Sequence, residues 1–215
     1  MFILTTISDL VQIAPEDFIK PSAEAIEDNI NRKYSNKVSQ APLSSRFIHL
    51  DQVLQKIGLA ICFYDLLETS DGFVGHDNTG TVNVNVVFRL VVFRPFKGEI
   101  ICGKISSAWE DGMKVRLDFF DEIFVPMGML PDGSYFDKKE QIWVWDNSGD
   151  KYYFDKNEWV RLRVQSERWH DLAPTEPSRQ GNAVAASERK SPYSVIGSMA
   201  ESWLGVVSWW EDAEE

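Results

Sequence analysis

The nearest approach to a catalytic pattern is Gly98-Glu99-Ile100-Ile101-Cys102-Gly103-Lys104. Two glycines at this interval, followed by lysine, match a loop that cradles phosphates with successive backbone N–H groups. The next residue is Ile105, where a Ser or Thr hydroxyl would hold magnesium, and the centre is Ile-Ile-Cys, a strand composition. Nothing helical follows, so the glycines read as bends in a barrel strand. A nucleotide hydrolase working through 98–104 is therefore the disfavoured reading from another class.

Other reactive types are equally scattered. His49, His76 and His170 lie at no ligand spacing from one another or from a cysteine, so no metal is expected. Cys62 and Cys102 fall in apolar strand runs and read as small buried hydrophobes rather than nucleophiles. The carboxylate pairs Glu110-Asp111 and Asp121-Glu122 are adjacent, which on a strand turns them to opposite faces. No Gly-x-Ser-x-Gly elbow occurs. The chain is expected to be no enzyme and to need no cofactor.

What remains is chemistry of binding. Lys114 and Arg116 are two apart on a strand and share a face, with Lys104 on the preceding strand. Arg161 and Arg163 form a second such pair, leaving Val160, Leu162 and Val164 to point inward. Trp109, Phe119, Tyr152, Tyr153 and Trp159 offer faces on which unpaired bases stack. Taken singly, each aromatic reads better as core or partner interface.

The elements that must carry these groups fall into three regimes. Residues 1–95 read as a small α+β unit. An alternating strand opens the chain, and a helix follows with Ser22 as candidate N-cap and Ile26, Ile30, Tyr34 and Val38 as one apolar stripe. A strand over 58–66, a loop at Asp71, Gly72, Gly75, Asn78 and Gly80, and a β-branched strand over 82–93 complete it. Residues 96–170 hold short strands at 99–105, 113–117, 123–125, 141–145, 152–154 and 159–164, parted by turn residues. That rhythm predicts an all-β, OB-type closed barrel, since closure removes exposed edges. Residues 171–190 read as a flexible linker. The ending, 191–215, is acidic and carries Trp203, Trp209 and Trp210, which either fold back on the barrel or dock on another subunit.

Composition bounds the partners. The chain has 215 residues and a net charge of −11, and 44% of it is hydrophobic. This suits a folded protein and argues against bulk electrostatic attachment to nucleic acid. No run reaches the roughly 20 apolar residues of a membrane span, and Asp9 interrupts any secretory leader. The reading is soluble and intracellular, with no membrane partner. Two cysteines exclude a disulfide scaffold.

Several stretches carry a family resemblance. Residues 95–130 hold Pro-Phe-Lys-Gly-Glu-Ile-Ile-Cys-Gly-Lys-Ile, then Asp-Gly-Met-Lys-Val-Arg-Leu, then Phe-Phe-Asp-Glu-Ile-Phe-Val-Pro-Met-Gly-Met-Leu, which resembles an S1 domain. The run Val92-Phe93-Arg94-Pro95-Phe96-Lys97-Gly98-Glu99 resembles the junction between the N-terminal RNP-like domain and the S1 domain of the RNA polymerase stalk family, which has archaeal members and eukaryotic counterparts. The opening Met1-Phe2-Ile3-Leu4, the helix over 31–38 and the strand at 58–65 fit the same family. The ending at 191–198 and 205–210 resembles the polymerase III member, whereas the polymerase II counterpart is shorter. One departure is an inserted loop at 39–53.

The resemblance implies a non-catalytic subunit in the nucleus. It would pair with a smaller helical stalk subunit and dock on the RNA polymerase III core through a tip that includes Asp71, Gly72, Phe73, Gly75 and Gly80. The barrel would meet nascent single-stranded RNA weakly, or initiation factors, with Lys104, Lys114, Arg116, Arg161 and Arg163 as RNA contacts. The implied role is initiation on transfer RNA, 5S ribosomal RNA and other short genes. A free-standing S1-domain RNA-binding protein is the alternative.

Overall fold

Strand-forming composition governs most of this chain, and a computed structural model shows how the strands are shared out. It describes residues 1–34, 53–75, 80–170 and 191–213, and divides the chain into two units, Met1–Arg94 and Pro95–Glu215. The sequence features at Val38, in most of the inserted loop and in the 171–190 linker lie outside the described residues.

The first unit is an antiparallel sheet backed by one helix. Strands β1 (Phe2–Ile13), β2 (Val53–Leu54), β3 (Gly58–Thr69) and β5 (Val82–Phe93) run in the order β1-β5-β3-β2, and the short β4 (Phe73–Val74) pairs with β5. Period two explains the buried side: Val84, Val86, Phe88, Leu90 and Val92 of the central strand point one way and are buried. Helix α1 (Ser22–Tyr34) lays Ala25, Ile26, Ile30 and Tyr34 on them. Ser22 is the first helical residue rather than the cap, because the Pro21 carbonyl accepts the first helical bond from Ala25 N–H at 3.0 Å. Val53, assigned from sequence to the inserted loop, is a buried residue of β2.

The second unit corrects the sequence reading. Strands β6 (Ile100–Trp109), β7 (Gly112–Arg116), β8 (Ile123–Pro126), β12 (Trp159–Trp169) and β13 (Tyr193–Ser198) form a ring: β12-β6-β7-β8-β13, with β13 also pairing back to β12. All of these pairings are antiparallel except β8 with β13, which is parallel. This is a closed five-stranded barrel of the OB type. Its fifth strand comes from the ending, 191–215, which the sequence left open between folding back on the barrel and docking on another subunit, so 96–170 alone lacks a complete barrel. The physical reason is on β13 itself: Tyr193, Val195 and Ile196 are buried, and an apolar strand with a partner on each side stays in the sheet. Two of the strands expected in the barrel, β10 (Ile142–Asn147) and β11 (Asp150–Phe154), instead join β9 (Ser134–Asp137) in a separate three-stranded sheet, order β11-β10-β9. The β10–β11 turn is Ser148-Gly149, both at positive φ, as a two-residue hairpin with right-handed twist demands. Trp143 ties this sheet to the barrel by donating its indole N–H to the Trp109 carbonyl at 2.9 Å.

The cysteine reading is also corrected. Cys62 and Cys102 are both exposed. On β6 the inward residues are Ile101, Gly103 and Ile105, which sets Cys102 outward by parity. On β3 the register shifts between Ala60 and Cys62 and turns the thiol away from the helix.

Candidate nucleic-acid interface

The phosphate-loop look-alike is strand. Ile100 to Lys104 lie in β6, and a Cβ at Gly103 would stand 2.7 Å from Val115 Cγ1 inside the barrel. Among the described residues no group of three His, Cys, Asp or Glu is placed to hold a metal, and no helix is long and apolar enough to cross a membrane.

The five basic residues all stand on the outer wall, but in different settings. Val160, Leu162 and Val164 fill the interior, so Trp159, Arg161 and Arg163 face out on β12. Cross-strand register sets Trp159 opposite Lys104 and Lys104 opposite Arg116, one row over three strands. Lys104 Nζ lies 4.8 Å from the Trp159 ring centroid, a cation–π contact. Arg116 donates to Asn157 Oδ1 at 3.2 Å. Arg161 is one step along, opposite Cys102. Lys114 and Arg163 differ, because each meets a carboxylate: Lys114 pairs with Glu122 at 2.7 Å and Arg163 with Glu201 at 2.8 Å. Of the aromatics, Trp109, Tyr153 and Trp159 are exposed, while Tyr152 packs against Trp145 and Trp209.

Trp209 and Trp210 pack within the chain, and Trp203 stays more than half exposed. After β14 (Gly205–Val206) pairs with β12, a 3-10 turn, Val207–Ala213, carries Trp209 onto the three-stranded sheet. Its ring meets Phe154 edge-on at 4.7 Å, Tyr152 at 5.3 Å and Trp145 at 5.5 Å. Trp210 donates its indole N–H to the Leu204 carbonyl at 3.1 Å and stacks on Trp203 at 5.1 Å. Gly205, at φ 95°, passes so close beneath Trp209 that a Cβ would sit 2.9 Å from the ring. Sequence left this segment open between self-packing and another subunit; the structure packs it on its own unit.

In the first unit the tip residues form a hairpin. Phe73 and Val74 pair with Asn83 and Val82, and Gly75 N–H donates to the Thr81 carbonyl at 3.1 Å. Asp71 and Gly72 line a cavity of about 540 Å³ with Phe18, and Gly80 lies against Pro15. Sequence reasoning missed one neighbour here, Phe18, with Ile19 next to it in the chain. Phe18 and Ile19, in the 3-10 turn Pro15–Ile19, are 51% and 94% exposed, and Phe73 and Val74 are 51% and 64% exposed. The missed signal was a pair of large apolar residues next to a proline with no period to bury them.

A helix-backed sheet followed by a closed five-stranded barrel defines a two-unit protein of the OB-barrel class. Residues 99–210 match the family model described as RNA polymerase III subunit Rpc25, and residues 8–80 match the SHS2 domain found in the N terminus of Rpb7p/Rpc25p/MJ0397. The chain is 40% identical to DNA-directed RNA polymerase III subunit rpc8 of Schizosaccharomyces pombe, over 98% of this chain and 100% of that protein. It is 35% identical to RPC8 of Saccharomyces cerevisiae at the same coverage. It is 25% identical to RNA polymerase II subunit RPB7 of that yeast, over 71% of this chain and 77% of that protein. The chain belongs to the RNA polymerase III subunit Rpc25 family, the counterpart of Rpb7.

Proposed function

We propose that this protein is a non-catalytic stalk subunit of DNA-directed RNA polymerase III, acting in the nucleus in initiation on transfer RNA, 5S ribosomal RNA and other small-RNA genes. The observation that carries the reading is full-length similarity to subunits of that polymerase in two yeasts, with the family match running through β13 and the C-terminal tryptophans. The first unit docks on the polymerase core through its apolar tip, Phe18, Ile19, Phe73 and Val74, with Asp71, Gly72, Gly75 and Gly80 shaping the hairpin. Large apolar side chains left exposed on a charged protein are the expected form of such a contact. A smaller helical stalk subunit completes a heterodimer. The barrel contacts nascent single-stranded RNA weakly, or initiation factors. Tethering to the polymerase raises the effective concentration to about mM, so a barrel with little net positive charge is sufficient.

The reading is tested by conditional depletion of the protein with pulse-labelling of new transcripts. Synthesis of transfer RNA and 5S RNA falls while messenger RNA synthesis continues. Equal loss of both, or of messenger RNA alone, contradicts it.

A further inference from the structure

We infer that single-stranded RNA lies on the β6–β12 wall of the barrel, one base stacked in a groove on Trp159, rather than on the β7–β8 face. This rests on the reading that the barrel contacts RNA and assigns the place and the chemistry.

OB barrels generally bind oligonucleotides on their second and third strands and the loop joining the first two. Here those are β7, β8 and the β6–β7 turn. On that face Lys114 is neutralised by Glu122, the turn carries Asp111 and a Glu110 paired with Lys138 at 2.7 Å, and Arg116 stands at the edge of β7 that adjoins β6. Of the five candidate cations, the β6–β12 wall holds Lys104 and Arg161, which meet no carboxylate among the described residues, around the half-exposed Trp159, and Arg116 borders that wall from the adjoining edge of β7. Arg163, on the same wall, is taken up by Glu201.

A groove of about 450 Å³ opens beside the tryptophan, within the range of small-ligand sites. Trp159 and Arg161 line it from β12, Cys102 from β6, and Val206 and Val207 from the C-terminal segment. The groove therefore exists because the chain's end folds back onto β12. One carboxylate, Glu158, lines it and opposes a phosphate at that end of the groove. Arg161 stands about 7 Å from Trp159 along the strand, and Lys104 about 5 Å across it. A stacked base thus has cations on two sides for its flanking phosphates. Stacking reads no sequence, which suits a protein that must accept any emerging transcript.

The test is a titration of a short labelled oligouridylate with the full-length chain, followed by fluorescence anisotropy at several salt concentrations. Trp159→Ala weakens binding about tenfold while Trp159→Tyr keeps most of it. Lys104→Gln with Arg161→Gln weakens it and flattens the salt dependence by roughly 0.7 per lost phosphate contact. Lys114→Gln changes neither. The opposite pattern, loss with Lys114→Gln and none with Trp159→Ala, overturns this site but leaves RNA binding by the barrel standing. Absence of binding by the wild-type chain at every salt concentration overturns both.

Discussion

Val195 of β13 lies opposite Ile123 of β8 in parallel register, and Val195 N–H donates to the Glu122 carbonyl at 2.9 Å. The barrel is closed by this pairing and by β13 against β12. A chain ended at His170 therefore exposes the apolar interior along two open edges. It loses cooperative unfolding and its near-ultraviolet circular dichroism. A chain ended at Trp210 keeps both. Native-like melting of the shorter chain would contradict this role for β13.

Trp209 and Trp203 occupy opposite extremes of the same segment. Trp209 sits among Phe154, Tyr152 and Trp145, whereas Trp203 is 54% exposed. Trp209→Ala is expected to destabilise the second unit by about 3 kcal/mol, and Trp203→Ala by about 1 kcal/mol or less. Denaturant titrations measure both, and equal effects would refute the packing described.

Those tryptophans show where sequence reading stops. A β-branched run located β5, and alternation gave the inward set Val160, Leu162 and Val164, because composition and period two are local properties. The closing strand was missed because a linker separates it from its partners, and pairing across such a distance leaves no local trace. β10 and β11 read like barrel strands for the same reason: alternation tells that a strand has two faces, not which sheet it joins. At the candidate interface, composition gave all five cations. Only spatial neighbours, Glu122 and Glu201, separate the two that are neutralised from the three that are not.

In the first unit, Asp9 accepts hydrogen bonds from Lys33 and from the Tyr34 hydroxyl, the latter at 2.6 Å. Burial raises its carboxyl, but the two donors outweigh burial and hold it below the ordinary carboxylate value. A carboxylate depressed in the folded state stabilises above its unfolded pKa, and that stability is lost as pH falls through the folded value. Lys33 is raised by the hydrogen bond it donates to Asp9, against burial, so its share persists until pH rises past that elevated value. Asp9→Asn should cost about 1 kcal/mol at neutral pH. The penalty should shrink as the wild type is acidified from about pH 5 to about pH 2, as followed by thermal melting. A penalty independent of pH would contradict the assignment.

The tip is tested by Phe73→Asp with Val74→Asp. Both side chains are more than half exposed, so the fold should tolerate the change within about 0.5 kcal/mol. Attachment to the polymerase core should be lost while the pairing with the smaller stalk subunit remains. Removal of residues 71–81 should act in the same way. Full retention on the core after both changes would move docking elsewhere.

The central claim is membership of a particular polymerase, and gentle affinity purification of the N-terminally tagged chain from nuclear extract tests it most directly. The expected result is co-purification of the large polymerase subunits and a small helical stalk partner, together with subunits unique to polymerase III. Recovery of subunits unique to another polymerase, or of RNA with no polymerase at all, would contradict it.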